Sequence, residues 1–487
     1  MAGQNIQAGR GYVVTTGGGN LTAHALAGNI DTGSAAQGYH FNTSASSLDQ
    51  AYDLSGGLGG FSTGAGGNVS LMAGGNINTV LPGNRGYYYN GNFLTAGNAD
   101  YSTAGSGAFG HLAGQAGNVT VVAGGNVTGH YMVAQGTGGI YAGVRMDANG
   151  NPLTDGAGNF VLGTTGSAGT TPLSPNLALS LISGGWNVVA AQNIILQEVR
   201  NPNGIFNIGT AAYRHYFDYA PDAYVNLWAG NQVQLGASAS ALPRVDTLRV
   251  PVIYPPVLNI TAGAGGVVLS GDNTFNQLIL FPSPDGSLII RTTQGGGLVS
   301  SLPASGGLPQ IFSLIVSDSG NQQFKTSGNF GLNDHAATPV HAGHEAPVTL
   351  DISGDMSLVM LASPEAAQIT VGGDMNNSRF QGMNLSAGDT TSIHVTGDII
   401  NRSAFTSVDL SGVPGAAPPD LFLPGAGADG ESFGGDVVEQ LLLQSGDEDI
   451  DVSKHQWADI GERVEPAAEP ARAGLCQRSS SMGGSAV

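Results

Sequence analysis

Four aspartates and three histidines are, by type, the residues best suited to chemistry in this chain. Asp351 and Asp355 lie four apart, and Asp374 and Asp398 lie 24 apart at matching places in a repeated phrase. Paired carboxylates can protonate and attack a glycosidic bond. His335, His341, His344 and Glu345 fall within eleven residues, a set of types that can bind a metal ion. Their spacing is not the i, i+4 helical pair of a zinc protease, and a solvated loop is the plainer reading. DANGNPLTDGAGN (147–159) has the acidic spacing of a calcium loop, but Pro152 stands where that loop needs glycine. Tyr213, His215, Tyr216, Phe217 and Tyr219, followed by Tyr224 and Trp228, form the densest aromatic run. Such rings stack on a sugar or a protein partner, or pack an inserted segment. No nucleophile triad, phosphate loop or cofactor fingerprint stands out. The expectation is a chain that is not an enzyme, with no catalytic, cofactor or metal residues.

The elements that would carry these residues are repetitive. Residues 66–80 read GGNVSLMAGGNINTV and residues 116–130 read AGNVTVVAGGNVTGH. Drifted copies occur at 17–31, 182–196, 224–236 and 258–270. Later copies, VTLDISGDMSLVML (348–361), AQITVGGDMNNSRF (367–380) and TSIHVTGDIINRSAF (391–405), place Gly-Asp where earlier ones place Gly-Asn. Within each copy, apolar β-branched residues alternate as in a half-buried strand. Gly with Asn or Asp then marks a corner, because these residues tolerate backbone angles that β-branched residues refuse. Repeated aspartates at such corners are better explained by turn chemistry than by catalysis. Asn at a fixed place can also form axial hydrogen-bonded ladders, a role compatible with the corner. The 50-residue interval between the first two copies reads as two coils of 24–25 residues. Short strands at a fixed period predict a solenoid, a parallel β-helix, of ~16 coils and ~75 Å at ~4.8 Å per coil. Val119, Val121 and Val127 are its proposed core positions.

Composition agrees. The 487 residues include 78 glycines, and only 10% are charged while 41% are apolar. Glycine costs ~1 kcal/mol per helix position relative to alanine, so strands joined by glycine corners are favoured. A net charge of −20 with 15 basic residues argues against nucleic acid and anionic membranes as partners. The lone cysteine, Cys476, permits no internal disulfide. No apolar run is long enough for a membrane-spanning segment.

The chain divides by composition into 1–165, coils with long Gly-rich insertions; 166–410, coils with a period near 24; and 411–487, a Pro/Gly linker and an acidic, mostly disordered tail. Within the tail, 436–444 could form a short amphipathic helix. Insertions are expected at 32–66, 83–110 and 211–230, with three short antiparallel strands at 144–163.

The stretch from His335 to Phe405 resembles the repeat region of filamentous haemagglutinin-type exoproteins, the secreted partners of two-partner (type Vb) systems. Ala367-Gln368-Ile369 and Gln381-Gly382-Met383-Asn384-Leu385 hold the places of its recurring phrases. PPVLNITAGAGGVVLSGDNTFNQLILFPSPDGSLII (255–290) and GNVTVVAGGNV also resemble that pattern. The resemblance covers residues 1–410. It implies a right-handed parallel β-helix on the bacterial surface, secreted and serving attachment as an adhesin. It further implies an outer-membrane two-partner secretion transporter for the full-length protein, and a host or neighbouring-cell surface protein or glycan as receptor. The chain opens in mid-repeat and shows no signal peptide, so its start is expected upstream of Met1. Two rivals stay open: a carbohydrate-active β-helix enzyme (polysaccharide lyase or hydrolase), and the stalk of a contact-dependent toxin.

Overall fold

A computed structural model describes residues 1–9, 11, 13–15, 19–32, 40–41, 52–53, 60–63, 67–79, 93–96, 117–164, 166, 168, 177–201, 215–217, 219–236, 252–272, 276–305, 308–321, 323–324, 329–344, 346–401 and 450–451. Among these residues the chain is all-β: there is no helix, and none long and apolar enough to cross a membrane. The architecture is repeat-like and dominated by parallel strand pairing.

In one ladder every strand pairs in parallel with the next. It runs from Leu21–Ala25 through Val69–Ala73, Val119–Ala123, Val127–Ala142, Leu177–Ala190 and Tyr224–Ala229. It continues through Val257–Ala262, Ser287–Thr292, Val348–Ile352, Ala367–Val371 and Ser392–Val395. A second ladder begins at Ile6–Gln7, Ile30–Asp31 and Ile77–Asn78 and ends at Met375–Asn376 and Ile399–Ile400. A third direction of pairing joins Val13–Thr15 to Phe61–Thr63, and later Ile253–Tyr254, Gln277–Leu280, Phe312–Val316, Val359–Ser363 and Arg379–Gly382.

Alternation decides which face is inside. Val257–Ala262 and Ala367–Val371 bury every second side chain, as the two-residue strand period requires. In register, Ala25, Ala73, Ala123, Ala142, Ala190, Ala229 and Ala262 form one buried column. Val119, Val121 and Val127 are buried as their alternation predicts.

The corners explain the Gly-Asn and Gly-Asp pairs. Asn29, Asn76 and Asn126 each donate their main-chain N–H to the Oδ1 of the preceding member of the series, Asn5, Asn29 and Asn76, at 2.8, 2.7 and 2.7 Å. Asp374 and Asp398 do the same to Asp355 and Asp374, at 2.8 and 2.9 Å. A Cβ on Gly75, Gly125, Gly373 or Gly397 would fall 2.1–2.3 Å from that same oxygen. The glycine is therefore required by the Asn or Asp one step earlier in the stack. Asn and Asp are interchangeable here because both place an acceptor oxygen on the same short side chain.

Two expectations need correction. The interval of 50 is one stacking step, not two: Val119 pairs directly with Val69, and Asn118 N–H reaches Asn68 Oδ1 at 2.8 Å. The extra length lies in the connection, which includes the strand Phe93–Ala96 on another ladder. Consequently, among the described residues, this ladder has eleven strands where ~16 coils were expected. Ten steps span about 48 Å.

At 144–163 the chain forms antiparallel bridges, Val144 with Leu162, Met146 with Pro152 and Thr154 with Phe160, rather than continuous strands. The sequence 436–444 and nearly all of 411–487 lie outside the described residues. Ile450–Asp451 is the exception and pairs antiparallel with Ser392–Val395.

On the outward face, Asn187, Asn226 and Asn259 form an amide ladder with both N···O distances 2.8 Å. It stops where Ile289 faces Asn259, leaving Asn259 Oδ1 without a partner. Asn226→Ala is expected to cost about 1–3 kcal/mol, because both neighbouring amides lose a partner. An unchanged urea midpoint would rule the ladder out as a stabilising element.

Candidate functional site

Asp355, Asp374 and Asp398 stand at successive corners of the stack. Asp355 and Asp374 are committed to the axial hydrogen bonds above. Asp351 is exposed on its strand, in register with Arg291 and Thr370. Asp147 and Asp155 each close a small turn: Asp147 accepts the N–H groups of Asn149 and Asn151, and Asp155 those of Ala157 and Asn159. The Asn151 main-chain N–H first at Asp147, and the Asn159 side-chain amide first at Asp155, hold both carboxyls below the usual aspartate range.

The aromatic run splits. Tyr213 and the side chains of His215 and Tyr216 lie outside the described residues. Phe217 and Tyr219 are buried. Phe217 meets Phe330 edge-on at 5.7 Å, Phe281 lies 5.9 Å from Phe330, and Tyr219 meets Phe281 at 5.7 Å. This nest packs the connection 317–347 onto the body of the molecule. Trp228 is 41% exposed, with Val189 and Thr261 beside it in register. Tyr224 is half-buried, with Asn187 Nδ2 at 3.4 Å from its hydroxyl.

The histidines do converge, on two carboxylates that lie outside their cluster in the sequence. Asp318 follows the strand Phe312–Val316, and Glu365 sits in the turn after Val359–Ser363. His344 Nδ1 lies 2.5 Å from Glu365 Oε1, with the Glu365 side chain only 2% exposed. His341, fully enclosed, places Nδ1 3.7 Å from Asp318 Oδ1, and His335 places Nδ1 3.7 Å from Asp318 Oδ2. Glu345 lies outside the described residues.

Local chemistry builds this arrangement. Asp318 Oδ1 accepts the N–H of Val340 at 2.6 Å, and its carbonyl accepts Ala336 N–H at 2.7 Å. Asp334 accepts Ser319 Oγ at 2.6 Å and Phe330 N–H at 2.9 Å, tying the start of the connection to its middle. A Cβ on Gly286 would fall 2.7 Å from His341 Nε2. The glycine of the LFPSPDG phrase thus leaves the space that the imidazole fills.

Burial pushes the Glu365 carboxyl up to about 7, with Asp389 adding to the rise and His344 opposing it. Burial also pushes His341 below the ordinary histidine value, with Asp318 opposing and His344 reinforcing. Oδ2 of Asp318, both ring nitrogens of His341 and Oε2 of Glu365 are buried with no hydrogen-bond partner. Among the described residues, no three or more His, Cys, Asp and Glu side chains are arranged to hold a metal ion. The cluster instead pairs each of two buried carboxylates with a histidine.

The fold is all-β, built of parallel strand ladders, and the cluster sets three histidines against two buried carboxylates. No family model, curated protein or solved structure matches the chain.

Proposed function

We propose that the chain is a right-handed parallel β-helix, part of a filamentous haemagglutinin-type exoprotein that acts as a non-catalytic adhesin. The observation that carries this reading is the in-register run of eleven parallel strands with Asn and Asp oxygens bonded along its length. A solenoid needs each turn to accept the next in this way. The resulting object is a stiff spacer, and contacts along it gain strength by avidity. The use of Asp355 and Asp374 as structural acceptors favours attachment over glycoside cleavage.

In this reading the protein acts at the bacterial surface after secretion through a two-partner outer-membrane transporter. Its receptor is a protein or glycan of a host or neighbouring cell, met by the parts of 32–66, 83–110 and 211–230 outside the ladder strands Phe61–Thr63, Phe93–Ala96 and Tyr224–Ala229, which the structure takes out of the expected insertions. Beads coated with the purified chain are expected to adhere to cells or immobilised glycans, and deletion of 97–110 to weaken adhesion. Adhesion no better than albumin-coated beads, or release of oligosaccharides from a polysaccharide panel at catalytic rates, would overturn it. Dependence of a toxic effect on residues 430–487 would favour the toxin-stalk alternative.

A further inference from the structure

We propose that residues 329–344 form a proton-operated latch: a proton shared between His344 and Glu365 holds the segment closed, and its loss as pH rises loosens it. The inference is independent of the attachment reading.

The segment is fastened at three places. Phe330 enters the nest of Phe217 and Phe281, at 5.7 and 5.9 Å. Asp318 and Asp334 receive the main-chain and hydroxyl donors described above. His344 then reaches across to Glu365 at 2.5 Å. The first anchors the near end of the segment to Phe217 and Phe281, and the second ties it to its own base. The third crosses to the turn after Val359–Ser363, so its state decides how firmly the far end is held.

The closed form is also incompletely satisfied. Four buried polar atoms at Asp318, His341 and Glu365 lack hydrogen-bond partners, and each such atom opposes closure. A segment held this way belongs to the less stable part of a fold, where local opening is least costly. With the shared proton in place, one hydrogen bond spans His344 and Glu365. When that proton passes to solvent, a carboxylate is left enclosed with Asp389 acting against it.

The direction with pH follows from linkage. Glu365 binds its proton more tightly folded than unfolded, about 7 against 4.5. Its contribution is fully present below about pH 4.5 and is lost as pH rises through about 7. His341 acts oppositely: its folded value lies below 6.5, so its contribution is present above 6.5 and lost as pH falls. Asp318 faces both His341 and His335, and Asp389 faces Glu365. Glu365 therefore loosens the segment as pH rises from about 4.5 through about 7, and His341 opposes it, so the Glu365 contribution has to be isolated by substitution.

Hydrogen exchange of residues 329–344 in the full chain, wild type against Glu365→Gln, isolates the Glu365 contribution, since intrinsic exchange and the His341 contribution cancel in the ratio. The wild-type-to-variant ratio of opening is expected to rise at least about tenfold from pH 5 to pH 8. A ratio constant across that range would overturn the latch. If Glu365→Gln does not fold, Glu365→Ala replaces it. This variant also removes the enclosed carboxyl, so the same rise is expected, and a flat ratio again overturns the proposal.

Discussion

Trp186→Ala is expected to lower stability by about 3–5 kcal/mol, the range for deleting a large buried aromatic. Trp186 is fully buried and donates from Nε1 to Ser180 O at 3.0 Å. Its register neighbour on one side is Gly138, which contributes no side chain to refill the space. On the other side is Val225, already packed in the core. Alanine would thus leave a cavity that its neighbours cannot close, and remove the Nε1 donor from Ser180 O. Guanidinium unfolding should show the midpoint falling with little change in slope. A loss under about 1 kcal/mol would mean that the site collapses and the packing account is wrong. A second substitution sharpens the test. A Cβ at Gly138 would fall 2.1 Å from Trp186 Cε3, so Gly138→Ala should destabilise the wild type and partly rescue Trp186→Ala.

The second large effect concerns the corner. Gly125→Ala is expected to cost about 1–3 kcal/mol, the usual range for overpacking, because the new methyl would meet Asn76 Oδ1 at 2.3 Å. Asn76→Ala removes that oxygen but leaves Asn126 N–H without its 2.7 Å acceptor, at about 1–3 kcal/mol. The double variant should therefore cost less than the sum, by about 0.5–3 kcal/mol of coupling. Gly75 O, 3.2 Å from the same methyl position, prevents complete rescue. Strict additivity in a thermal or denaturant cycle would refute the idea that glycine and asparagine in successive copies act as one unit. The Gly397 and Asp374 pair offers the same cycle in the carboxylate version, where the corresponding approach is 2.3 Å.

Both predictions bear on how the repeated phrase should be read. The glycine before each Asn or Asp makes room for the residue one copy earlier, not for its own neighbour. Sequence comparison finds the copies but cannot tell which are adjacent. Chain distance and stacking distance part company wherever a connection is long: Asn68 and Asn118 are 50 residues apart and bonded at 2.8 Å. Asp355 and Asp374 are only 19 apart and make the same contact. A period inferred from the regular C-terminal copies therefore overcounts steps in the N-terminal half.

The sequence by itself determined the strand class, the inward valines and the positions of the corners. These depend on side-chain alternation and on which residues tolerate tight backbone, properties of a few consecutive residues. It also picked out His335, His341 and His344 as a group. Tertiary structure alone decided their partners, because Asp318 and Glu365 arrive from separate strand ends. It also turned Phe217 and Tyr219 of the aromatic run inward, since Phe281 and Phe330 close over them from distant segments. The change in proton affinity at Glu365 has the same origin. Its cause is enclosure by chain that is remote in sequence, and burial is a property of the assembled stack rather than of any phrase within it.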